Sequence, residues 1–290
     1  MTQSWLSEGK HSVVTLTFDV DAETGVLSMG EGYADHAMAM THQAFGPDVG
    51  VPRILAILEE LEVPATFYFP GWVAERRPGL VETVAEAGHE IAHHSYSHVP
   101  ASSMTADEER RDFERALEVF KDIGVPVYGH RAGLWEASWR TASLVAEYGL
   151  LYDSSMMNDD RPYRVPTDKG EIVELPPHWS LDDWEQYAFL PAPQIGTVME
   201  NPLNVLSMWK HELDAMRRHQ CLFMLTSHPF LTGRPGRVEA LRSLIEYGKS
   251  CGDVDFLSCR QVAERARGDE VLASRPLRKP DTEPGLFPAS

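Results

Sequence analysis

The chain has 290 residues, 43% of them hydrophobic, so it is long enough to bury a large core. Its 26 Lys and Arg against 44 Asp and Glu give a formal net charge of −18. Such an acidic surface repels the phosphates of nucleic acids and of anionic lipids, so we predict neither a nucleic acid nor a membrane as partner.

The cysteines and the N-terminal residues bear on the cellular location. Three cysteines, all in the last quarter of the chain, do not make a disulfide framework. Residues 1–11 are polar and lack the apolar core of a secretory signal, and no apolar run of about 18 residues occurs. We therefore predict a cytoplasmic protein with a single domain over residues 1–268 and a C-terminal tail over residues 269–290.

The first predicted strand, residues 13–18, ends in two acids, Asp19 and Asp21. On an extended chain both carboxylates leave the same face. Hydrophobic residues in the segment 22–48 show no regular spacing, so we interpret it as a capping loop beside the strand end. The loop either contributes to function or is a solvated surface loop. Its candidate substrate contacts are Glu23, Glu31, His36 and His42.

Helices and strands then alternate toward a His-rich segment. Helices are predicted at 51–61 and 80–87, and strands at 65–69 and 90–92. The segment after them contains His94 and His98, whose spacing would place both imidazoles on one face of a helical turn, close enough to hold one ion. With 12 histidines in the chain, such a pair also arises by chance, so its context decides.

The middle of the chain continues the alternation. A helix at 106–123 with Thr105 as N-cap precedes a strand at 125–128, and a helix at 138–148 precedes a strand at 150–153. Residues 161–201 are rich in proline and aromatics around a strand at 172–175. We expect these aromatics mainly in the core, with pocket walls as the alternative. They are Trp179, Trp184, Tyr187 and Phe189.

The last third has helices at 202–219, 238–250 and 260–267, and strands at 221–225 and 254–257. About seven strand–helix alternations favour parallel strands, in a closed barrel or in an open doubly wound sheet. The loop 226–236 contains His228 and Arg234, and Arg237 follows it. The two arginines are candidates for holding an anion or a subunit partner, against ordinary surface charge.

Polar clusters follow five of the predicted strands, at 19–23, 93–98, 130–135, 153–160 and 226–237. The carboxyl ends of parallel strands meet at one edge of an α/β fold, where active sites lie. We therefore expect these clusters to form one site.

In this order the clusters resemble the motifs of the polysaccharide deacetylase superfamily, also called the NodB-homology or family 4 carbohydrate esterases. The five motifs are Thr17-Phe18-Asp19-Val20-Asp21, His94-Ser95-Tyr96-Ser97-His98, Arg131 with Trp135, Tyr152-Asp153-Ser154-Ser155, and Leu225-Thr226-Ser227-His228-Pro229. The resemblance implies a distorted (β/α) barrel with about seven parallel strands and a divalent metal held by Asp, His and His.

The resemblance also implies roles for single residues. Asp21, His94 and His98 would be the metal ligands, Asp19 the base, His228 the acid, and Arg131 the partner that keeps Asp19 charged. Val20 separates two acids that are adjacent in the family pattern, so which of Asp19 and Asp21 is the ligand stays open. Candidate substrate-binding residues are Glu23, Trp135 and Asp153.

A carboxylate and two imidazoles suit Zn²⁺ best, and Co²⁺, Ni²⁺ and Fe²⁺ also accept them. We predict a hydrolase of a non-peptide carbon–nitrogen bond. The long segment after the first strand is similar to that of a cytoplasmic subgroup of peptidoglycan deacetylase-like proteins, allantoinases and cyclic imide hydrolases. The substrate is thus an N-acetylated sugar or oligosaccharide, or a small cyclic imide or ureide.

Two alternatives and the oligomeric state remain open. A non-catalytic carbohydrate-binding homologue would need a broken metal triad, which the sequence does not have. A nucleotide-binding open sheet would need a GxGxxG or GxxxxGK[ST] motif after the first strand, and neither is present. The aromatic insertion at 161–201 permits a homo-oligomer.

Overall fold

The computed structural model describes residues 4–283 and residue 286. The strands in this part of the chain are β1 (Ser12–Asp19), β2 (Thr66–Phe69), β3 (Glu90–His93), β4 (Gly129–His130), β5 (Tyr152–Asp153), β6 (Tyr163–Thr167), β7 (Gly170–Glu174), β8 (Leu190–Pro191), β9 (Gln194–Ile195), β10 (Leu222–Ser227) and β11 (Val254–Phe256).

The α-helices over the same residues are α1 (Thr24–Leu27), α2 (Ala37–Phe45), α3 (Val51–Glu60), α4 (Gly71–Arg76), α5 (Pro78–Glu86), α6 (Ala106–Ile123), α7 (Thr141–Glu147), α8 (Trp184–Tyr187), α9 (Pro202–His219), α10 (Pro229–Thr232), α11 (Pro235–Cys251) and α12 (Cys259–Gly268). None of these helices has the length and apolar composition needed to span a bilayer.

One nine-stranded sheet dominates the fold, in the order β10-β1-β2-β3-β4-β5-β7-β6, with β11 also paired to β1. Every pair in it is parallel except β6 with β7. This confirms the predicted α/β class. Strands from both ends of the chain share this sheet, which supports the single domain that we propose.

The two ends of the sheet meet through irregular chain rather than through paired strands. Asp160, just before β6, accepts a hydrogen bond from the backbone of Leu222 in β10. Asp182, beyond β7, forms an isolated parallel bridge with Thr226. The sheet therefore curls into a distorted barrel, as predicted, whose seam beside β10 lacks a regular strand.

Strand β1 is an interior strand of the sheet, and its sequence suits burial on both faces. All eight of its residues are buried, and it pairs with β2, β10 and β11. Such continuous apolar strands are typical of parallel sheets covered by helices on both sides. The carboxyl end of β1 thus places its acids between the ends of β2 and β10.

Local signals end the helices where the sequence predicts. Thr105 and Glu108 form a reciprocal capping box at the start of α6, and Gly124 ends the helix with a φ of 85°. Helix α9 also has its predicted bounds, and most other elements agree within a few residues.

Three predictions about elements were wrong. Residues 22–48 are not a loop but contain α1, a 3₁₀ turn at Glu31–Asp35, and α2, pieces too short to show a helical period. The strand predicted at 125–128 forms one step later, as β4. The hairpin strand β6 was missed because Pro166 interrupts its pattern.

The capping segment, residues 22–48, lies against α10 through glycines. A Cβ atom on Gly50, just after the segment, would lie 2.2 Å from the carbonyl oxygen of Pro229. A Cβ atom on Gly233 would lie 2.5 Å from the Cα atom of Gly50. Only glycine permits this approach, so backbone packs directly on backbone next to His228.

Candidate active site

The carboxyl ends of the parallel strands bring the predicted site residues together. Asp19 ends β1, His94 follows β3, Arg131 follows β4, and His228 follows β10. All four side chains are buried. His94 and Arg131 lie close to Asp19, and His228 lies close to Asp21. The prediction that the clusters share one edge is therefore met for these residues.

Three side chains form a compact, buried donor set. Nε2 atoms of His94 and His98 each lie 3.4 Å from Oδ1 of Asp21, and one ligand atom from each residue falls within 4.8 Å of the others. Asp21 Oδ1 has no hydrogen-bond partner among the described residues. A buried, unsatisfied carboxylate oxygen facing two imidazoles is suited to a cation.

The protonation states of this set also suit a cation. His94 Nδ1 lies 2.7 Å from the backbone oxygen of Arg131, to which it can donate, so Nε2 is the ring nitrogen that faces Asp21. Burial lowers the pKa of His94, but Asp19 and Asp21 outweigh burial and raise it, so a cation bound here would replace a proton on Nε2. Burial lowers the pKa of His98 to about 4, although Asp21 opposes this. Burial disfavours ionised Asp21, but His98, His94 and His228 outweigh burial and hold the pKa of that carboxyl below its ordinary value.

Asp19 lies beside the donor set and is held by Arg131. Nη1 of this fully buried arginine donates to Asp19 Oδ1 at 2.7 Å and to Thr17 at 3.0 Å, while its guanidinium carbon lies 4.0 Å from the ring centre of Tyr68. Burial works against the charge on Arg131, but Asp19 outweighs it and the pKa of the guanidinium is raised. The pair keeps Asp19 oriented.

His228 faces the donor set from the opposite wall. Its Nε2 lies 3.5 Å from Oδ2 of Asp21, and its Nδ1 lies 2.7 Å from Oδ1 of the fully buried Asp183. Burial lowers the pKa of His228, but Asp182 and Asp183 raise it well above its ordinary value. The ring therefore carries a proton, with Nε2 directed to the site.

A cavity of about 140 Å³ lies over these groups. Trp135, Trp179 and Trp184 form much of its wall, and the rings of Trp135 and Trp179 are 4.6 Å apart. The full lining is Asp19, Asp21, His94, His98, Leu134, Trp135, Trp179, Asp182, Trp184, Glu185 and His228.

Loops with unusual backbone conformations carry several of these residues. Ser95 and His98 have φ angles of 55° and 61°, and Leu134 and Trp135 have 56° and 55°. Such left-handed conformations cost about 1–3 kcal/mol each for non-glycine residues and cluster at functional sites. A Cβ atom on Gly133 would lie 2.6 Å from the backbone oxygen of His98, so this glycine lets the two loops meet.

The structure corrects the predicted geometry of the histidine pair. His94 and His98 do not share a helical turn, because the left-handed Ser95 bends the chain between them. Their rings nevertheless approach to 4.9 Å. The i, i+4 spacing thus pointed to two histidines that do lie together, but not on a shared helical turn.

Two candidate substrate contacts lie outside the cavity lining. Both oxygens of Glu23 accept hydrogen bonds from Arg77, at 3.0 and 2.7 Å. Asp153 is fully buried beneath the site, where its Oδ1 lies 2.7 Å from His130 Nδ1. Only Trp135 among the predicted substrate-binding residues lines the cavity, and the other capping-segment candidates, Glu31, His36 and His42, do not line it either.

The sequence reasoning missed the segment that holds His228. Asp182 and Asp183 follow no strand, and no motif marks them. Trp179 and Trp184, which we expected mainly in the core, are cavity walls, and Trp179 is 49% exposed. Only Tyr187 of that aromatic group is fully in the core, whereas Phe189 is exposed.

Asp182, Asp183 and His228 form a second group with the spacing of metal ligands. Oδ1 of Asp183 already accepts from the backbone and Nδ1 of His228, and its Oδ2 accepts from the Thr232 hydroxyl. With these bonds made, the group is suited to orienting His228 rather than to binding an ion.

Comparisons with known proteins agree with this site. A model of the family described as polysaccharide deacetylase matches residues 7–150. A Mycobacterium smegmatis protein described as belonging to the polysaccharide deacetylases has a crystal structure with a TM-score of 0.92 and 44% identity, covering 95% of this chain and 96% of its own. A peptidoglycan deacetylase of Helicobacter pylori is 28% identical over 93% of this chain and 99% of its own.

An allantoinase structure shares the fold at a TM-score of 0.77 and 22% identity, covering 91% of this chain and 92% of its own. The conserved fold, the strand-end site and the 44% identical relative lead to one assignment. The chain belongs to the polysaccharide deacetylase family, and it is a hydrolase that acts on carbon–nitrogen bonds other than peptide bonds.

Proposed function

We propose that the protein is a divalent-metal-dependent deacetylase that hydrolyses the amide of an N-acetylated sugar or a similar small amide. The observation that carries this proposal is the buried Asp21, His94 and His98 set with His228 facing it across the cavity. One acid and two neutral imidazoles leave coordination positions open, as catalytic zinc sites do.

The residues fit a divalent ion, with Zn²⁺ preferred. Asp21 Oδ1, which has no hydrogen-bond partner in the described part of the chain, and the Nε2 atoms of His94 and His98 that face it are the donor atoms that such an ion requires. A bound ion would polarise the substrate carbonyl and make water acidic enough to attack near neutral pH. Asp21 is the proposed ligand rather than Asp19, because Asp19 is paired with Arg131.

Asp19 is the proposed base. It lines the cavity, and Arg131 fixes one of its oxygens, so the other can accept a proton from the attacking water. His228 is the proposed acid, since its protonated Nε2 points to the cavity while Asp183 holds Nδ1. It would donate to the departing nitrogen, which would otherwise leave as an unstable anion.

A second candidate substrate class is favoured by the cavity itself. Its volume of about 140 Å³ is below the about 300 Å³ at which drug-sized pockets begin. A small cyclic imide or ureide fits such a space, and its flat ring would suit the tryptophan walls. A sugar chain would have to extend beyond this volume, for instance over the exposed lining residue Trp179. Cytoplasmic location, which would favour small substrates, stays a prediction.

The test combines metal analysis with two substrate panels. Purified protein should contain a stoichiometric divalent metal, and His94→Ala and His98→Ala should lose most of the metal and of the activity. N-acetylglucosamine oligomers are assayed beside succinimide and allantoin. Acetate release from the oligomers supports the deacetylase, and ring opening alone supports the second class.

His219→Ala is the matched control, because His219 is an exposed histidine at the end of α9. It should keep wild-type metal content and turnover. Unchanged metal and activity in both His94→Ala and His98→Ala would refute the proposed mechanism. Sugar binding without hydrolysis and without metal would instead support the non-catalytic alternative.

A further inference from the structure

Three arginines meet behind the His228 wall, outside the cavity. We call Arg53, Arg234 and Arg237 the arginine cluster. Each donates to a backbone oxygen of the short stretch 230–233: Arg53 to Gly233 at 2.6 Å, Arg234 to Phe230 at 3.3 Å, and Arg237 to Leu231 at 3.3 Å. Three positive side chains are thus fixed around four residues.

The cluster lacks the counter-charge that an acidic protein could easily supply. None of the three arginines forms an ion pair with a carboxylate in residues 4–283, whereas Arg242 on the same helix α11 pairs with Glu60 and Glu239. Asp183 attracts Arg237, but its oxygens are bonded to His228 and Thr232. In a chain of net charge −18, three unpaired arginines in one place are unexpected.

The charges are also partly withdrawn from water. The guanidinium of Arg234 lies 3.5 Å from the ring centre of Phe45, and that of Arg237 lies 4.4 Å from the ring centre of Tyr187. Burial, then Arg237 and Arg53, lower the pKa of Arg234. Like charges held together in a half-buried position cost free energy unless an anion joins them.

Neighbouring groups add an imidazole that can form a hydrogen bond and the N-terminal end of a helix. Burial, followed by the charges of Arg234 and Arg237, lowers the pKa of His42, and Nδ1 of this histidine has no partner among the described residues. Arg234 is also the N-cap residue of the 17-residue helix α11, where no side-chain oxygen caps the helix. The positive end of the helix dipole therefore adds to the same region.

We propose that the arginine cluster is a binding site for a dianionic oxyanion, a phosphate group that is either free or carried by a small metabolite. Each guanidinium uses one N–H group on a backbone oxygen, and Arg237 Nη2 also donates to the sulfur of Met199 at 3.6 Å. Since a guanidinium has five N–H groups, each arginine keeps further donors for the ligand. A phosphate offers two charges and several acceptor oxygens, whereas a single carboxylate would balance only one of the three charges.

The test measures thermal unfolding in phosphate and in chloride at equal ionic strength. Wild-type Tm should rise saturably with phosphate, by about 5 °C at a hundredfold excess over Kd. Arg234→Gln and Arg237→Gln should lose most of this rise, and Arg242→Gln should keep it. Glucose 6-phosphate in place of inorganic phosphate separates a carried from a free phosphate group, and acetate should have little effect.

A second readout separates ligand binding from simple support of the 230–233 backbone. In chloride alone, Arg234→Gln should match or exceed the wild-type Tm, because the substitution relieves repulsion within the cluster. A lower Tm in chloride, together with no phosphate response in the wild type, would overturn the proposal. An equal phosphate response in Arg234→Gln and the wild type would also overturn it.

If a variant does not fold, calorimetric titration of the wild-type protein with phosphate still tests the proposal. The wild type should bind about one phosphate, and Arg53→Gln, on a separate helix, should bind it at least tenfold more weakly. Absence of saturable heat with wild-type protein contradicts the proposal whatever the variants do.

Discussion

Two buried aspartates face His228, and they differ in how their oxygens are used. Asp183 accepts hydrogen bonds from His228 and from Thr232 with both oxygens. Asp21 has an oxygen without a partner among the described residues, with imidazole nitrogens at 3.4 Å. A carboxylate whose oxygens are all hydrogen-bonded is suited to orienting its neighbour, whereas one with a free oxygen is suited to a cation. Burial alone therefore does not single out a candidate metal ligand.

The largest expected effect comes from Asp21→Asn. Loss of the carboxylate should weaken metal binding by more than about 100-fold and reduce activity at least as much, because this acid supplies the only charge among the proposed ligands. Metal content by mass spectrometry and turnover measure this. Asp122→Asn, an exposed acid at the end of α6, is the control and should resemble wild type. Full metal content in Asp21→Asn would contradict the assignment of Asp21 as a metal ligand and of Asp183 as the only orienting acid of the two.

Asp183→Asn should damage turnover while sparing the metal. General acids contribute about 10²–10⁴-fold, and loss of Asp183 releases the orientation and the raised pKa of His228. We expect turnover to fall within that range, with the alkaline limb of the pH–rate profile shifted to lower pH. Metal affinity should stay within a fewfold of wild type. If Asp183→Asn loses the metal as Asp21→Asn does, the two acids are not distinct.

Gly50→Ala tests the same wall from outside the cavity. The new Cβ atom would lie 2.2 Å from the Pro229 oxygen, so the backbone next to His228 must shift, and overpacking of this kind costs about 1–3 kcal/mol. Denaturant unfolding should show this loss, with metal content unchanged. In Gly79→Ala, the matched control, the added methyl meets nothing within 4 Å and should stabilise α5 slightly. Equal stability of both variants would contradict the close approach.

The smallest expected effect concerns a second buried acid pair, Asp153 and Glu174, beneath the proposed metal site. Asp153 Oδ2 and Glu174 Oε2 both lack partners in the described part of the chain. Burial and then Asp153 raise the pKa of Glu174 well above its ordinary value, which favours a proton on the Glu174 carboxyl.

A carboxyl whose pKa is higher in the folded than in the unfolded state contributes its full stability at pH values below the unfolded-state pKa. This contribution is lost as pH rises through the folded-state pKa. Wild-type unfolding free energy should therefore fall above about pH 4.5 with a contribution of up to about 1.4 kcal/mol per pH unit from Glu174. Glu174→Gln keeps an acceptor for the backbone of Ser155 and Met156 and should show a flatter curve. Identical curves would mean that no proton is shared.

The acids and histidines at strand ends could be predicted from the sequence, because a parallel sheet places every strand end at one edge. Asp182 and Asp183 could not. They reach His228 only because irregular chain forms the seam of the barrel beside Thr226, a contact between residues far apart in sequence. The pairing of Glu23 could not be predicted for a similar reason, since its partner Arg77 lies on another element.

The conformation of the His94–His98 segment could not be predicted either. An i, i+4 pair suggests a helix, and nothing in Ser-Tyr-Ser indicates a left-handed Ser95. The backbone amides of Tyr96 and Ser97 donate to Asp112 at 2.7 and 3.0 Å, and this tertiary anchor holds the bend. Local propensity was overruled by a contact with α6.

The left-handed residues around the site have a consequence for how a ligand would be received. The free-energy cost of these backbone conformations is offset during folding, when the hydrogen bonds to Asp112 and the close contact at Gly133 hold the loops in place. An arriving ion or substrate then does not have to order these loops, so less of its binding free energy is lost as entropy. Part of the folding free energy of the barrel is therefore used to hold the loops in a conformation ready for binding, which raises the affinity of the site.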